Sequence, residues 1–169
     1  VQTGELVQTA QGERFIPTFI ENRLKFSPYI RNVAVLGAGR DQLTAIVCID
    51  YEATGHWAEQ RALSYSSYAE LSQKPEVIAL ITAEIARVNE LQPEGLRIRR
   101  FVNLHKDFDA DDGEITRTRK LRRKVIEQTY ARLVDALYDG SRDVTFDAKI
   151  TYEDGRQGTL SRNLSIREV

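Results

Sequence analysis

The sequence predicts a mixed fold of the α+β class, with a β-hairpin near each end of the chain. Two apolar runs, Val33–Leu36 and Leu43–Ile49, flank a glycine-rich turn, which favours an antiparallel hairpin. After Pro75, apolar residues recur at helical spacing. Alternating segments at Val144–Ile150 and Gln157–Ile166 surround an Asp-Gly turn signal near the C-terminus. The length, 169 residues, suits one domain with an appendage.

The first thirty residues predict a short hairpin followed by a helix. Alternation over Glu5–Thr9 and the segment Arg14–Ile16 predict two strands around the turn Gln11-Gly12. Pro17 suits the first position of a helix, and Ser27-Pro28 ends it. The helix face that we expect to be buried carries Phe19, Ile20, Leu24 and Phe26.

The middle of the chain predicts two helices and a strand. A helix is expected over Glu52–Leu63, followed by a polar connector at Tyr65–Leu71. Pro75 then opens the clearest amphipathic helix, which stops at Pro93. Alternation over Ile98–Leu104 predicts a strand. The residues expected on the inner face of the amphipathic helix are Val77, Ile78, Ile81, Ile85, Val88 and Leu91.

Charge is most unevenly distributed ahead of the last predicted helix. Five carboxylates within Asp107–Glu114 precede six cations within Arg117–Lys124. Helical spacing of apolar residues runs from Leu121 to about Tyr138, which predicts one long helix with the cations on its first turns. A helix N-terminus prefers anions, by about 0.3–1 kcal/mol per group. The cluster is therefore either a solvated helix end balanced by the acidic loop, or a surface that binds phosphate or RNA.

Composition narrows the function classes. The formal net charge is −1, whereas a general nucleic-acid binder is usually basic over a whole face. The single cysteine, Cys48, excludes an internal disulfide and is expected in the core. His56 and His105 lack neighbouring Cys or His residues, and the acidic run lacks the spacing of a calcium loop, so we expect no metal site.

Further classes are excluded by the motifs that the sequence lacks. It contains no P-loop, no dinucleotide-binding glycine motif, no membrane-spanning run and no visible signal peptide. Because it does not begin with Met, we expect a fragment of a longer protein.

Two motifs of this sequence resemble signatures of a known superfamily. Gly113–Arg123 is similar to the last core motif of the adenylate-forming enzymes, which include acyl-CoA synthetases, luciferases and nonribosomal adenylation domains. Thr118 and Arg119 stand where many members have Ser and Gly. Glu5–Glu13, followed by Pro17–Asn22, resembles the motif that opens the C-terminal domain of these enzymes. The segments that look like the long-chain fatty acyl-CoA synthetase branch are Thr116–Arg123, Lys25–Ile30 and Leu71–Val77.

The resemblance implies a C-terminal lid domain with a small central β-sheet flanked by helices. Such enzymes join a carboxylate to ATP as an acyl-adenylate, then transfer the acyl group to the thiol of CoA, and the lid rotates between the steps. The motif match makes Lys120 the catalytic residue of the first step, where it stabilises developing charge. Gln11, Gly12 and Glu13 would bind near CoA in the second step. The cations expected near the phosphates are Arg117, Arg119, Arg122 and Arg123.

The same resemblance implies that most of the enzyme lies outside this chain. The expected substrates are fatty acid, ATP and CoA, and Mg²⁺ is expected on an N-terminal adenylation domain of the same polypeptide. This domain alone should bind no cofactor and show no ligase turnover. Val1–Glu5 does not match the family hinge, so we expect the hinge to be altered or replaced there. The expected division is a hinge-proximal hairpin at 1–16, the lid at 17–140 and a hairpin extension at 141–169.

Two rival functions stay open. One is the lid of an adenylate-forming relative that uses another acyl group or a carrier-protein acceptor. The other is a free-standing nucleic-acid-binding module built on Arg117–Lys124. The balanced net charge argues against the second, so we expect no nucleic-acid partner. The expected location is cytoplasmic, with peripheral membrane association of the full-length enzyme left open.

Overall fold

A five-stranded sheet with helices on both faces forms the body of the protein. The computed structural model describes residues 6–111, 113–118, 120–151, 155 and 157–169. The strands are β1 (Val7–Gln8), β2 (Arg14–Phe15), β3 (Ile30–Leu36), β4 (Leu43–Ile49), β5 (Ile98–Asn103), β6 (Asp143–Thr151) and β7 (Gln157–Glu168). The helices are α1 (Pro17–Leu24), α2 (Tyr51–Gln60), α3 (Tyr68–Ser72), α4 (Pro75–Asn89), α5 (Arg123–Thr129) and α6 (Ala131–Tyr138).

The topology is mixed. The order of the large sheet is β3-β4-β5-β7-β6, and β1 pairs with β2 in a separate hairpin. Strands β4 and β5 run parallel, whereas the other neighbours run antiparallel. The predicted α+β fold with hairpins near both ends is therefore confirmed.

The central strands are apolar on both faces because helices cover both sides of the sheet. In β4, Ala45 and Val47 face a core shared with α1 and α4, and Ile46 and Cys48 face a core shared with α5 and α6. Burial raises the pKa of the Cys48 thiol well above its ordinary value, so Cys48 is the core residue that the sequence predicts. No helix of the described residues is both long and apolar enough to cross a membrane.

Some exposed residues were wrongly expected to be buried. Phe19 and Phe26 are 51% and 88% exposed. The inner face of α1 instead carries Glu21, which is only 3% exposed. Leu91 lies beyond the end of α4 and is 71% exposed, although the other predicted inner residues of that helix are buried. A fixed helical period cannot show where a helix stops, or that a carboxylate is buried because a distant cation pairs with it.

Two predicted elements differ in the structure. The polar connector contains α3, whose first turn is capped by the side chain of Ser67, which accepts a hydrogen bond from the Glu70 amide at 3.1 Å. The Ser-x-x-Glu spacing is a capping signal that could have indicated this helix. The long last helix is two helices, α5 and α6, separated at Tyr130.

The C-terminal hairpin continues the central sheet. Strand β7 pairs with β5, with Phe101 opposite Arg167 and Val102 opposite Ile166. Leu164 and Ile166 are buried in the core beneath α5 and α6. The inner strand of this hairpin therefore shares the hydrophobic core of the sheet.

Candidate functional site

The residues around Lys120 form a tight turn held at both ends by backbone pairing. Ile115 and Leu121 make an isolated antiparallel bridge. The Thr116 amide donates to the Lys120 carbonyl at 2.8 Å, and the Lys120 amide donates to Thr116 Oγ1 at 3.0 Å. We call residues 115–121 the Lys120 turn; its two ends are fixed by these contacts, while the Lys120 side chain is exposed.

The cations do not lie where the helical pattern placed them. Helix α5 begins at Arg123, so Arg117 and Lys120 precede it and Arg122 is its N-cap residue. The expectation that the cluster covers the first turns of a helix is therefore wrong for Arg117, Lys120 and Arg122, whereas Arg123 and Lys124 do lie in the first turn of α5. The β-bridge ends the helical spacing at Leu121, because a residue paired in an extended conformation cannot join the helix.

Three of the predicted site cations are free to meet a ligand. Arg117, Lys120 and Arg122 are exposed, and none of them forms a salt bridge with any residue that the structure describes. Arg119 lies outside the described residues. The Lys120 turn and the residue that follows it thus present three charges to solvent within the segment 117–122.

Arg123, one of the cations expected near the phosphates, is paired within the domain. Its guanidinium makes two hydrogen bonds to the Glu21 carboxylate, at 2.5 and 3.0 Å, and a third to the Val35 carbonyl at 3.1 Å. The same carboxylate accepts the Val35 amide at 2.7 Å. Arg123 therefore ties α5 to α1 and β3, and the structure does not bring it to the free cations of the turn.

Glu114 lies directly before the Lys120 turn, and its carboxylate is fully buried. It accepts hydrogen bonds from Lys106 Nζ at 2.5 Å, from the Asp109 amide at 3.0 Å and from the Tyr130 hydroxyl. The acidic loop was expected to balance the neighbouring cations, but Glu114 at its end is 0% exposed and pairs in the interior instead. No pattern in the sequence marks it, because its partners lie 8 and 16 residues away.

The loop Gln11–Glu13 is held mainly by backbone contacts. Gly12 has φ +91°, a conformation that favours glycine. Thr9 is buried beneath the loop, donates its amide to the Glu13 carbonyl at 2.8 Å and accepts the Glu13 amide at 3.1 Å. Gln11, Gly12 and Glu13 are exposed, as a ligand-binding loop requires.

The β1–β2 hairpin rests on the turn between β3 and β4. The Ala10 amide donates to the Arg40 carbonyl at 2.9 Å, and the Gly39 amide donates to the Gln8 carbonyl at 2.8 Å. The Arg40 guanidinium lies over the Tyr138 ring, 4.6 Å from its centroid. This stacking fixes the supporting turn against the end of α6.

The two candidate loops are anchored in different cores of the sheet. Ile115 of the Lys120 turn packs in the core beneath α5 and α6, whereas Phe15 of the hairpin packs in the core beneath α1 and α4. The segment that carries the predicted catalytic lysine and the segment that carries the predicted CoA loop are therefore fixed to different faces of the sheet. Among the described residues, no group of three His, Cys, Asp or Glu side chains converges as metal ligands would.

Comparison with known proteins decides the family. A model of the AMP-binding enzyme C-terminal domain matches residues 5–142. The chain belongs to this family. The resemblance to adenylate-forming enzymes inferred from the two motifs is confirmed.

Curated relatives of this AMP-binding C-terminal domain include fatty-acid–CoA ligases. The long-chain-fatty-acid–CoA ligase FadD15 of Mycobacterium tuberculosis is 32% identical over 136 residues, which are 80% of this chain and 23% of that protein. The putative fatty-acid–CoA ligase fadD11 of the same species is 36% identical over 135 residues, 79% of this chain and 24% of that protein. The chain spans about a quarter of the length of these relatives.

Solved structures share the fold of the domain. The adenylation domain of a carboxylate reductase from Mycobacterium chelonae superposes with a TM-score of 0.61 at 24% identity, over 79% of this chain and 19% of that one. The corresponding domain from Segniliparus rugosus gives a TM-score of 0.63 at 20% identity, over 80% of this chain and 20% of that one. At these identities the likeness concerns the fold alone.

Proposed function

We propose that this chain is the C-terminal lid of a long-chain fatty acid–CoA ligase that forms acyl-AMP from fatty acid and ATP, then acyl-CoA. The observation that carries the proposal is the exposed lysine on a backbone-fixed turn, within a chain about one-third identical to fatty-acid–CoA ligases. The N-terminal adenylation domain of the same polypeptide would supply the ATP site, the Mg²⁺ and the acyl pocket.

In the first step, Lys120 is delivered to the reacting groups when the lid closes. Its ammonium lies beside the attacking carboxylate and the α-phosphate, where negative charge builds up as pyrophosphate leaves. A turn whose backbone is already fixed loses little entropy on closing, so more of the interaction free energy lowers the barrier. Arg117 and Arg122 stand beside it as further phosphate-facing charges, and Arg119 belongs to the same segment.

In the second step, the opposite face of the lid meets the active site. Gln11, Gly12 and Glu13 then line the entry of the CoA pantetheine arm. Gly12 has no side chain to obstruct it, which permits close approach of backbone to ligand. The anchoring of the two loops in cores on different faces of the sheet supports a lid that rotates between the half-reactions.

The same observations support the two rival functions less well. A lid for another acyl group or acceptor shares this fold, as the carboxylate reductase domains do, but the relatives at 30% identity or more are named fatty-acid–CoA ligases. A nucleic-acid-binding module built on Arg117–Lys124 has fewer free cations than its sequence suggests, because Arg123 is committed to Glu21.

The test separates the two half-reactions in the full-length enzyme that carries this domain. Lys120→Ala should lower acyl-adenylate formation, measured by pyrophosphate exchange, about 100- to 1000-fold, the usual cost of removing one such charge-stabilising group. Single-turnover thioester formation from preformed acyl-adenylate should change less than about threefold, since the lysine then faces away. Lys25→Ala, at the end of α1, is the charge-matched control and should leave both steps unchanged. An equal loss in both half-reactions contradicts the proposed role.

A further inference from the structure

We infer that Glu114 is the positioning residue of the Lys120 turn, an inference that rests on the function proposed above. Lys120 is exposed and pairs with no described residue, so the location of its ammonium depends on the backbone of the turn. Catalysis by a positioned charge is sensitive to displacement, and a shift of about 1 Å can cost on the order of 100-fold in rate. The turn therefore needs contacts that fix its position relative to the rest of the domain.

The Glu114 carboxylate is fixed from three directions. Lys106 follows β5, the Asp109 amide belongs to the loop after it, and Tyr130 stands between α5 and α6. Both carboxylate oxygens accept hydrogen bonds, one of them from an ammonium, and charge-assisted bonds of this kind are about twice as strong as neutral ones. A buried carboxylate without such partners would be strongly unfavourable, so the three donors and Glu114 hold one another in place.

Backbone hydrogen bonds connect Glu114, whose carboxylate is fixed, to Lys120. The Glu114 carbonyl accepts the Arg122 amide at 2.9 Å, and its amide donates to the Asp109 carbonyl at 3.1 Å. The Ile115–Leu121 bridge and the Thr116–Lys120 bond follow immediately. Glu114 thus anchors the strand of the turn that leads to Lys120 and, through Arg122, the strand that leaves it.

The break between α5 and α6 fits this assignment. Tyr130 is 1% exposed and donates its hydroxyl to Glu114 from the point where the two helices separate. In an uninterrupted helix, the direction of the side chain at position 130 would be set by the 3.6-residue repeat alone. At this break the Tyr130 ring packs in the core beneath α5 and α6, and its hydroxyl reaches the Glu114 carboxylate.

The test uses the full-length enzyme and the conservative change Glu114→Gln, which keeps the size of the side chain and removes its charge. We expect acyl-adenylate formation to fall about tenfold to 100-fold, with thioester formation from preformed acyl-adenylate within about twofold of the unmodified enzyme. Amide hydrogen exchange should rise in the peptide covering 114–122 and stay unchanged in β3 and β4. Tyr130→Phe, which removes one donor and keeps the ring, should act in the same direction with a smaller loss, and it decides the matter if Glu114→Gln fails to fold.

Val134→Ala is the matched control. It loosens the same helix layer without touching Glu114, so it should lower the midpoint of urea unfolding and change both half-reactions equally. Normal adenylate formation in Glu114→Gln, or an equal loss in both half-reactions, would overturn the inference. If Lys120→Ala is impaired in adenylation and Glu114→Gln is not, this inference fails and the proposed function stands. If Lys120→Ala itself is unimpaired, the proposed function fails.

Discussion

The Lys120 turn and the Gln11–Glu13 loop are both short, exposed segments, but they are fixed by different means. The turn is bordered by two charged anchors, the buried Glu114 with its three donors and the Arg123–Glu21 pair. The loop is held by backbone hydrogen bonds and one glycine with positive φ. The segment proposed to place a charge is thus anchored by charges, whereas the segment proposed to admit a ligand is held by the conformation of its backbone.

The largest effect is expected where a charged anchor loses its partner. Arg123→Met leaves the carboxylate of Glu21, 3% exposed, with the Val35 amide as its one hydrogen-bond donor among the described residues. Breaking one side of such a pair costs about 3–5 kcal/mol, so the free energy of unfolding of the purified domain should fall by about that amount. Urea denaturation measures it.

The neighbouring cation provides the comparison for this change. Arg122→Met alters an exposed side chain and should shift the free energy of unfolding by no more than about 0.5 kcal/mol. Equal effects of the two substitutions would show that the Arg123–Glu21 pair contributes little, and that the turn is not held by charged anchors at both ends.

A smaller effect is expected at the backbone-built loop. Gly12→Ala places a Cβ on a residue with φ +91° and should cost about 1–2 kcal/mol of stability. In the full-length enzyme it should also slow thioester formation while leaving adenylate formation intact, because the proposed function assigns this loop to the second step alone. Thioester formation is measured in single-turnover experiments, and adenylate formation is measured by pyrophosphate exchange.

Gly140→Ala is the control that separates the effect of backbone strain from the effect of location in the Gln11–Glu13 loop. Gly140 has φ +85° and open space around it, so the substitution carries a similar strain outside the Gln11–Glu13 loop. It should lower stability to a similar extent and leave thioester formation unchanged. If both alanine variants slow thioester formation alike, the loop has no particular role in the second step.

The smallest effect is expected when nucleic acid is added to the isolated domain. The free cations are screened within about 10 Å at 0.1 M salt, and Arg123 is neutralised by Glu21. The domain should therefore not bind single-stranded RNA or duplex DNA at sub-micromolar concentration in physiological salt. Titration with labelled oligonucleotides checks this, and tight binding would favour the nucleic-acid-binding module over the lid.

The predicted features that the structure confirms are those with a short-range signal. The apolar runs at β3 and β4 and the amphipathic α4 follow from side-chain period, because burial of one or both faces of an element imposes that period. The Lys120 motif was found by resemblance, and the family match confirms the relationship while its catalytic role remains a proposal. Even the missed α3 had a capping signal in Ser67 and Glu70.

The sequence by itself determined the strands, the main helices, the family and the segment that carries the free cations. Only the tertiary structure decided which charges serve the fold and which remain for a ligand. Glu114 and Arg123 belong to the same charged run as Lys120, and nothing local distinguishes them. Their partners, Tyr130 and Glu21, lie 16 and 102 residues away, so the burial of these charges depends on contacts that exist only once the helices pack on the sheet.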